Sequence, residues 1–170
     1  YLLTTTSNQA PQINGNNDAD LTGTSGLVTI DASGTGVDKD NTTIDAGYYP
    51  LGSIGNYLWV DTNKDGLQND GPSSGINGLK VYLWRNMGSG MELIDSTLTA
   101  NDASGNPGYY NFIIDESAQY QVQFPLNFST KTLTTQNVSA GVNGNSDANQ
   151  ASGFSPVFTM NLIVNTGVNR

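Results

Sequence analysis

Tyr120-Gln121-Val122-Gln123-Phe124 alternates apolar and polar side chains without a break. In an extended chain successive side chains point to opposite faces, so Tyr120, Val122 and Phe124 share one face and the two glutamines the other. Such a strand buries one side and wets the other, as in an antiparallel sandwich. Similar short runs, rich in Val, Ile, Thr and aromatics, recur at 26–31, 42–48, 54–60, 79–84, 92–98, 109–114, 131–137 and 157–163. No stretch sustains a helical period. Between the runs lie clusters of turn formers, such as Asn14-Gly15-Asn16-Asn17-Asp18, Asp70-Gly71-Pro72-Ser73 and Asn101-Asp102-Ala103-Ser104-Gly105. The expected fold class is therefore all-β, an antiparallel immunoglobulin-like sandwich with an additional N-terminal β segment.

Composition narrows the function. The 170 residues include 15 acidic and six basic side chains and no histidine, for a net charge of -9. That balance repels nucleic acid and anionic lipid, whereas calcium or a basic surface suits it. Charged residues make up 12% of the chain, about half the usual share, with Asn, Thr, Ser and Gly in their place. No cysteine is present, so disulfides and thiolate metal sites are excluded. The sequence contains no apolar run of membrane-spanning length and no signal-peptide pattern, and it reads as a mature or excised piece.

An internal repeat organises the chain. Asn14-Gly15-Asn16-Asn17-Asp18-Ala19-Asp20 returns as Asn143-Gly144-Asn145-Ser146-Asp147-Ala148-Asn149, an offset of 129 residues (143 − 14). Leu3-Thr4-Thr5 answers Leu133-Thr134-Thr135, and Thr35-Gly36-Val37-Asp38 answers Thr166-Gly167-Val168-Asn169. Residues 1–50 thus read as the tail of a preceding repeat or a donor-strand segment, and 51–170 as a repeat lacking its last strand. The run at 42–48 has no counterpart before Arg170. Two arrangements follow: a window on a tandem array, or a link in a filament whose groove takes a strand from a neighbouring copy, head-to-tail.

The chemistry-bearing motif is Asp61-Thr62-Asn63-Lys64-Asp65-Gly66-Leu67-Gln68-Asn69-Asp70. Oxygen donors at positions 1, 3 and 5, a turning glycine at 6 and a backbone carbonyl at 7 are the pattern of a calcium loop. Asp61, Asn63, Asp65, Leu67, Asn69 and Asp70 are the candidate Ca2+ ligands. Position 12 is Pro72 where the pattern wants a bidentate carboxylate, so weaker binding is expected. An Asx-rich turn whose side chains accept bonds from their own backbone fits the same residues. A second, weaker candidate set is Asn16, Asp18 and Asp20 in one repeat copy with Asn145, Asp147 and Asn149 in the other; Asp102 with the Ser104-Gly105-Asn106 turn is weaker again.

Catalysis finds no support. Histidine and cysteine are absent, and neither a nucleophile elbow nor a phosphate loop occurs. The aromatics, among them Tyr57, Trp59, Tyr82, Trp84, Tyr109 and Tyr110, lie on strand patterns and are expected to pack rather than to line a sugar site. Asn-x-Ser/Thr sequons begin at Asn41, Asn127 and Asn137.

Ile54-Gly55-Asn56-Tyr57-Leu58-Trp59-Val60, continuing through the Asp61–Gln68 loop, and Gly75-Ile76-Asn77-Gly78-Leu79-Lys80-Val81-Tyr82-Leu83 closely resemble the B-type repeat of serine-aspartate-repeat surface adhesins. Tyr109-Tyr110-Asn111-Phe112, Asp18-Ala19-Asp20 and Thr43-Ile44-Asp45-Ala46-Gly47-Tyr48 are similar to later segments of that repeat. The resemblance implies a seven-stranded transthyretin-like or collagen-adhesin-B-like sandwich, stiffened by calcium and strung into extracellular stalks on a bacterial surface. Its implied partners are copies of itself or adjacent repeats; the sequence names no host or matrix ligand. Related domains also form Lys-Asn isopeptide bonds, but Lys80 lies within a strand and not at the leading position such bonds use. The alternatives are a carbohydrate- or protein-binding module on the same fold, and an accessory domain of a secreted hydrolase.

Overall fold

The computed structural model describes residues 2, 3, 19, 22–25, 27, 44, 46, 48–136 and 144–162. The chain divides into two compact units, Tyr1–Leu51 with Ile163–Arg170, and Gly52–Leu162. In the first unit, β1 (Leu2–Leu3) pairs antiparallel with β2 (Tyr48–Tyr49), and Ala19 bridges Ser25. The run expected at 42–48 is strand only at Tyr48 among its described residues, and the run at 26–31 lies outside the described residues except for Leu27.

The second unit is an antiparallel sandwich. One layer pairs β3 (Gly52–Tyr57) with β6 (Tyr109–Ile114), Ile54 opposite Phe112. The other layer has the order β10-β7-β4-β5, with β4 at Lys80–Asn86, β5 at Met91–Leu98, β7 at Ala118–Gln123 and β10 at Phe158–Met160. A small hairpin, β8 (Asn127–Phe128) with β9 (Lys131–Thr132), completes it. Among the described residues no helix is long and apolar enough to cross a membrane.

The alternation at 120–124 does what its period requires. Tyr120 and Val122 are buried, and Leu83 of β4 lies directly opposite Val122. Val81, Leu83, Tyr120 and Val122 of one layer meet Ile54, Tyr110, Phe112 and Ile114 of the other in a single core. Each buried aliphatic or aromatic side chain contributes roughly 1.5–3 kcal/mol. The outward glutamines tie strands together: Gln121 donates to the Ser155 carbonyl at 2.8 Å, and Gln123 accepts from the Trp84 indole at 3.1 Å. The aromatics pack as expected, with Tyr110 edge-on to Phe112 and Phe124 at ring-centroid distances of 6.0 and 5.8 Å.

Three expected strands differ in extent, the run at 157–163 being strand only at Phe158–Met160 among its described residues. The run at 54–60 leaves β6 after Tyr57 and changes partner. Leu58 N–H still donates to the Gly108 carbonyl, but the Leu58 carbonyl accepts from Ile76 and Val60 N–H donates to Ser74. The crossing is so close that a Cβ on Gly108, which sits at φ +88°, would lie 2.2 Å from the Leu58 oxygen; only glycine fits there. The run at 131–137 is strand only at Lys131–Thr132, because the next polar residues spend their side chains on loop contacts described below; Asn137 lies outside the described residues. Lys80 is exposed, with its ammonium 5.6 Å from the Tyr82 ring centroid.

The expected consequence is a sharp contrast along one sheet. Leu83→Ala, at a side chain 1% exposed, costs about 2–5 kcal/mol, whereas Leu93→Ala on the edge strand, 50% exposed, changes stability by about 0.5 kcal/mol or less. Urea unfolding of the two variants measures the difference.

Candidate metal-binding loop

The loop opens where the extended stretch after β3 ends. Asp61 organises its first half: one carboxylate oxygen accepts from Lys64 N–H at 2.6 Å, the other from Gly66 N–H at 2.9 Å and from the Thr134 hydroxyl at 2.6 Å. Lys64 and Gly66 take left-handed conformations, φ 62° and 76°, which fold the chain back over that carboxylate. Asp65 organises the second half. It accepts from Leu67 N–H at 2.8 Å and from the amides of Asn63 at 2.9 Å and Asn69 at 2.8 Å. Asp70 closes the loop by accepting from Thr62 N–H at 3.0 Å through Oδ1. Its Oδ2 is buried without a hydrogen-bond partner.

These contacts set the electrostatics. Burial disfavours the Asp61 anion, but the donors from Thr134, Gly66 and Lys64 outweigh it and hold the carboxyl below its ordinary range, against repulsion from Asp65. Asp65 is held low chiefly by Asn69, then by Leu67 N–H. Both are anions at neutral pH, near enough to repel.

The loop rests on the second repeat motif. Leu67 bridges Asn145, Gln68 N–H donates to the Gly144 carbonyl at 2.6 Å and Ser146 N–H to the Gly66 carbonyl at 2.8 Å. The structure therefore brings Asn145 to the loop, where the sequence treated the two motifs as separate candidates. Asp147 is exposed at the residue level, yet partial burial raises its carboxyl pKa. Asn149 spends its side-chain oxygen capping the turn to Ala151 and Ser152. Asn16, Asp18 and Asp20 lie outside the described residues. Among the described residues, no three Asp, Glu, His or Cys side chains gather as a metal cage. A cation here would draw on Asn oxygens and backbone carbonyls beside the carboxylates. Such a hard, all-oxygen set is what calcium takes, and the orphaned Asp70 Oδ2 is an oxygen in want of a positive partner. The loop's twelfth position, Pro72, instead opens a 3-10 turn, Pro72–Ser74.

Two residues that spacing did not single out matter here. Thr134, 73 positions from Asp61, pins the segment after β9 to the loop, and Gln136 holds the Asp147 carbonyl at 2.7 Å. Asp102 proves to be a turn anchor. It accepts from the Tyr57 hydroxyl at 2.6 Å, from the N–H groups of Ser104 and Asn106 and from the Asn106 amide. Tyr57 first, then Asn106, brings its pKa down to about 2.

With this geometry, a comparison with known proteins becomes specific. The family model described as the SdrD B-like domain matches residues 52–167, the whole sandwich and the loop. The chain belongs to the SdrD B-like domain family. Among relatives, serine-aspartate repeat-containing protein F of Staphylococcus epidermidis is 38% identical over 129 residues, covering 74% of this chain and 7% of that protein. Serine-aspartate repeat-containing protein D of Staphylococcus aureus strain Newman is 36% identical over 115 residues, 66% of this chain and 8% of that protein. The chain spans less than a tenth of the length of these relatives. No solved structure matches it. An SdrD B-like domain is a structural repeat of a surface protein and not an enzyme.

The depressed carboxyls make stability depend on acid. Folded pKa values below the ordinary 3.8 mean that Asp61, Asp65 and Asp102 stabilise the fold above that pH and lose this contribution as pH falls through their folded values. Asp147, raised by burial, acts in the opposite sense. Urea midpoints are expected to fall as pH drops from about 4 to about 2. In Asp102→Asn the part of that loss nearest pH 2 disappears.

Proposed function

We propose that this chain is a calcium-stabilised structural repeat of a bacterial surface adhesin or stalk, extending the protein away from the cell wall and joining neighbouring copies head-to-tail. The observation that carries the calcium reading is the Asp61–Asp70 loop. Two mutually repelling carboxylates, Asp61 and Asp65, share one turn fixed to residues 144–146, and Asp70, later in the same loop, keeps a buried carboxylate oxygen without a partner. Ca2+ bound through Asp61, Asn63, Asp65, the Leu67 carbonyl, Asn69 and Asp70 would neutralise that repulsion and lock the turn against the sandwich. Its role is mechanical.

Calcium at about 100 times its dissociation constant adds about 2.7 kcal/mol. The expected result is a rise in melting temperature on the order of 10 °C, reversed by chelator and absent in Asp65→Asn. Melting curves that ignore both calcium and chelator would overturn the reading.

Joining by strand complementation rests on two features. The repeat puts a last-strand sequence at 42–48, and β10 is an edge of its sheet among the described residues, with backbone groups open to pairing. A synthetic peptide of residues 40–50 is expected to raise the melting temperature of the 52–170 fragment, and a peptide with Ile44→Asp to have no effect. Electron microscopy of the native material distinguishes head-to-tail filaments from flexible tandem stalks.

A further inference from the structure

Two aromatic side chains do not pack away with the rest. Tyr57, the last residue of β3, and Trp59, two positions on, both remain partly exposed and line a cleft of about 400 Å3 in the sandwich unit. Gln68, Pro72, Asn106 and Pro107 line it with them. The walls are braced. Trp59 bridges Gly75, and Gly75 passes so close to Pro107 that a Cβ there would lie 1.9 Å from the Pro107 carbonyl oxygen. Asp102 accepts from the Tyr57 hydroxyl and from the Asn106 amide, at 2.6 and 3.0 Å, which fixes two of the walls to one turn. A braced cleft of this volume is within the range of small-molecule sites, which are largely formed before the ligand arrives.

The chemistry of the lining points to one class of ligand. In a chain of net charge -9, no charged side chain lines this cleft, so it offers an ion of either sign nothing to pair with. Polar capacity is nevertheless unspent. The Gln68 side-chain amide makes no hydrogen bond among the described residues, and Asn106, which donates to Asp102, accepts nothing at its Oδ1. The Trp59 indole N–H is buried without an acceptor, whereas the Trp84 indole has Gln123. Buried Trp N–H groups ordinarily find a partner, so the wall holds a donor in want of an oxygen. Aromatic faces beside unspent amide groups, with no charge, match a molecule that has an apolar C–H face and hydroxyls around its edge.

We propose that this cleft binds a neutral mono- or disaccharide, lying against Tyr57 and Trp59 with its oxygens bonded to the Gln68 amide, Asn106 Oδ1 and the Trp59 N–H. Asn69 is the only candidate calcium ligand in the lining and has no part in this set, so the site is tested with chelator present. The isotope-labelled full chain is titrated with maltose, cellobiose, lactose and di-N-acetylchitobiose, and the two indole N–H resonances are followed. At least one sugar is expected to shift the Trp59 signal saturably, with a dissociation constant on the order of 1 mM. The Trp84 signal, from an N–H already bonded to Gln123, should stay in place. Calorimetric titration with that sugar then compares two variants. Gln68→Ala should melt as the parent does, since its amide has no bond to lose, and bind about threefold to tenfold more weakly. Gln68 lines this cleft and not the larger cavity that Tyr57 and Trp59 also border, so its loss locates the sugar. Trp59→Phe keeps an aromatic face and removes the donor, and a weakening of about the same size is expected. The proposal is overturned if none of the four sugars shifts the Trp59 signal saturably, if the Trp84 signal moves with it, or if either variant keeps the parent affinity.

Discussion

The interlock between two strand pairs holds this domain together. Ile54 and Phe112 stand opposite each other on one layer, Leu83 and Val122 on the other, and with Val81 and Tyr120 they fill the space between. Without cysteine there is no covalent staple, and with charged residues at 12% there is little ion pairing to share the work. Tyr120, Phe112, Leu83 and Val81 are the largest fully buried side chains, and every loop discussed above hangs from a strand that carries or adjoins one of them.

On that core the chain builds its turns from short polar side chains. Asp61, Asp65 and Asp102 each gather donors from backbone separated by only a few residues, which is how a surface poor in Lys and Glu still satisfies its loops. The same economy prepares the candidate metal loop. Carboxylates held as anions by N–H groups are already in the protonation state a calcium ligand needs. Thr134 and residues 144–146 both reach the loop, which so gathers features that lie far apart along the chain.

Much of the fold was legible in residue order. Alternation at 120–124 depends only on the two-residue period of an extended chain, and it put Tyr120 and Val122 on the face that is buried. Strand ends were less legible, because they depend on partners. β3 stops at Tyr57 since Ile76 and Ser74 compete for the next backbone groups, and Thr134 and Thr135 have strand propensity but no partner strand among the described residues. Spacing gathered Asp61 to Asp70 into one loop, since residues within ten positions are joined through local turns alone. It could not attach Asn145 or Thr134 to that loop, and it offered Asp102 as a metal candidate where Tyr57 makes it an anchor.

The sequence by itself determined the β class and the oxygen-rich loop, since each rests on period or local spacing that a chain carries wherever it folds, and its motifs carried the resemblance to the family. Tertiary structure alone decided which strands share a layer, that residues 144–146 support the loop and that Thr134 reaches Asp61. Those are contacts across tens of residues, set by how the two layers close on their common core, and no local rule encodes them.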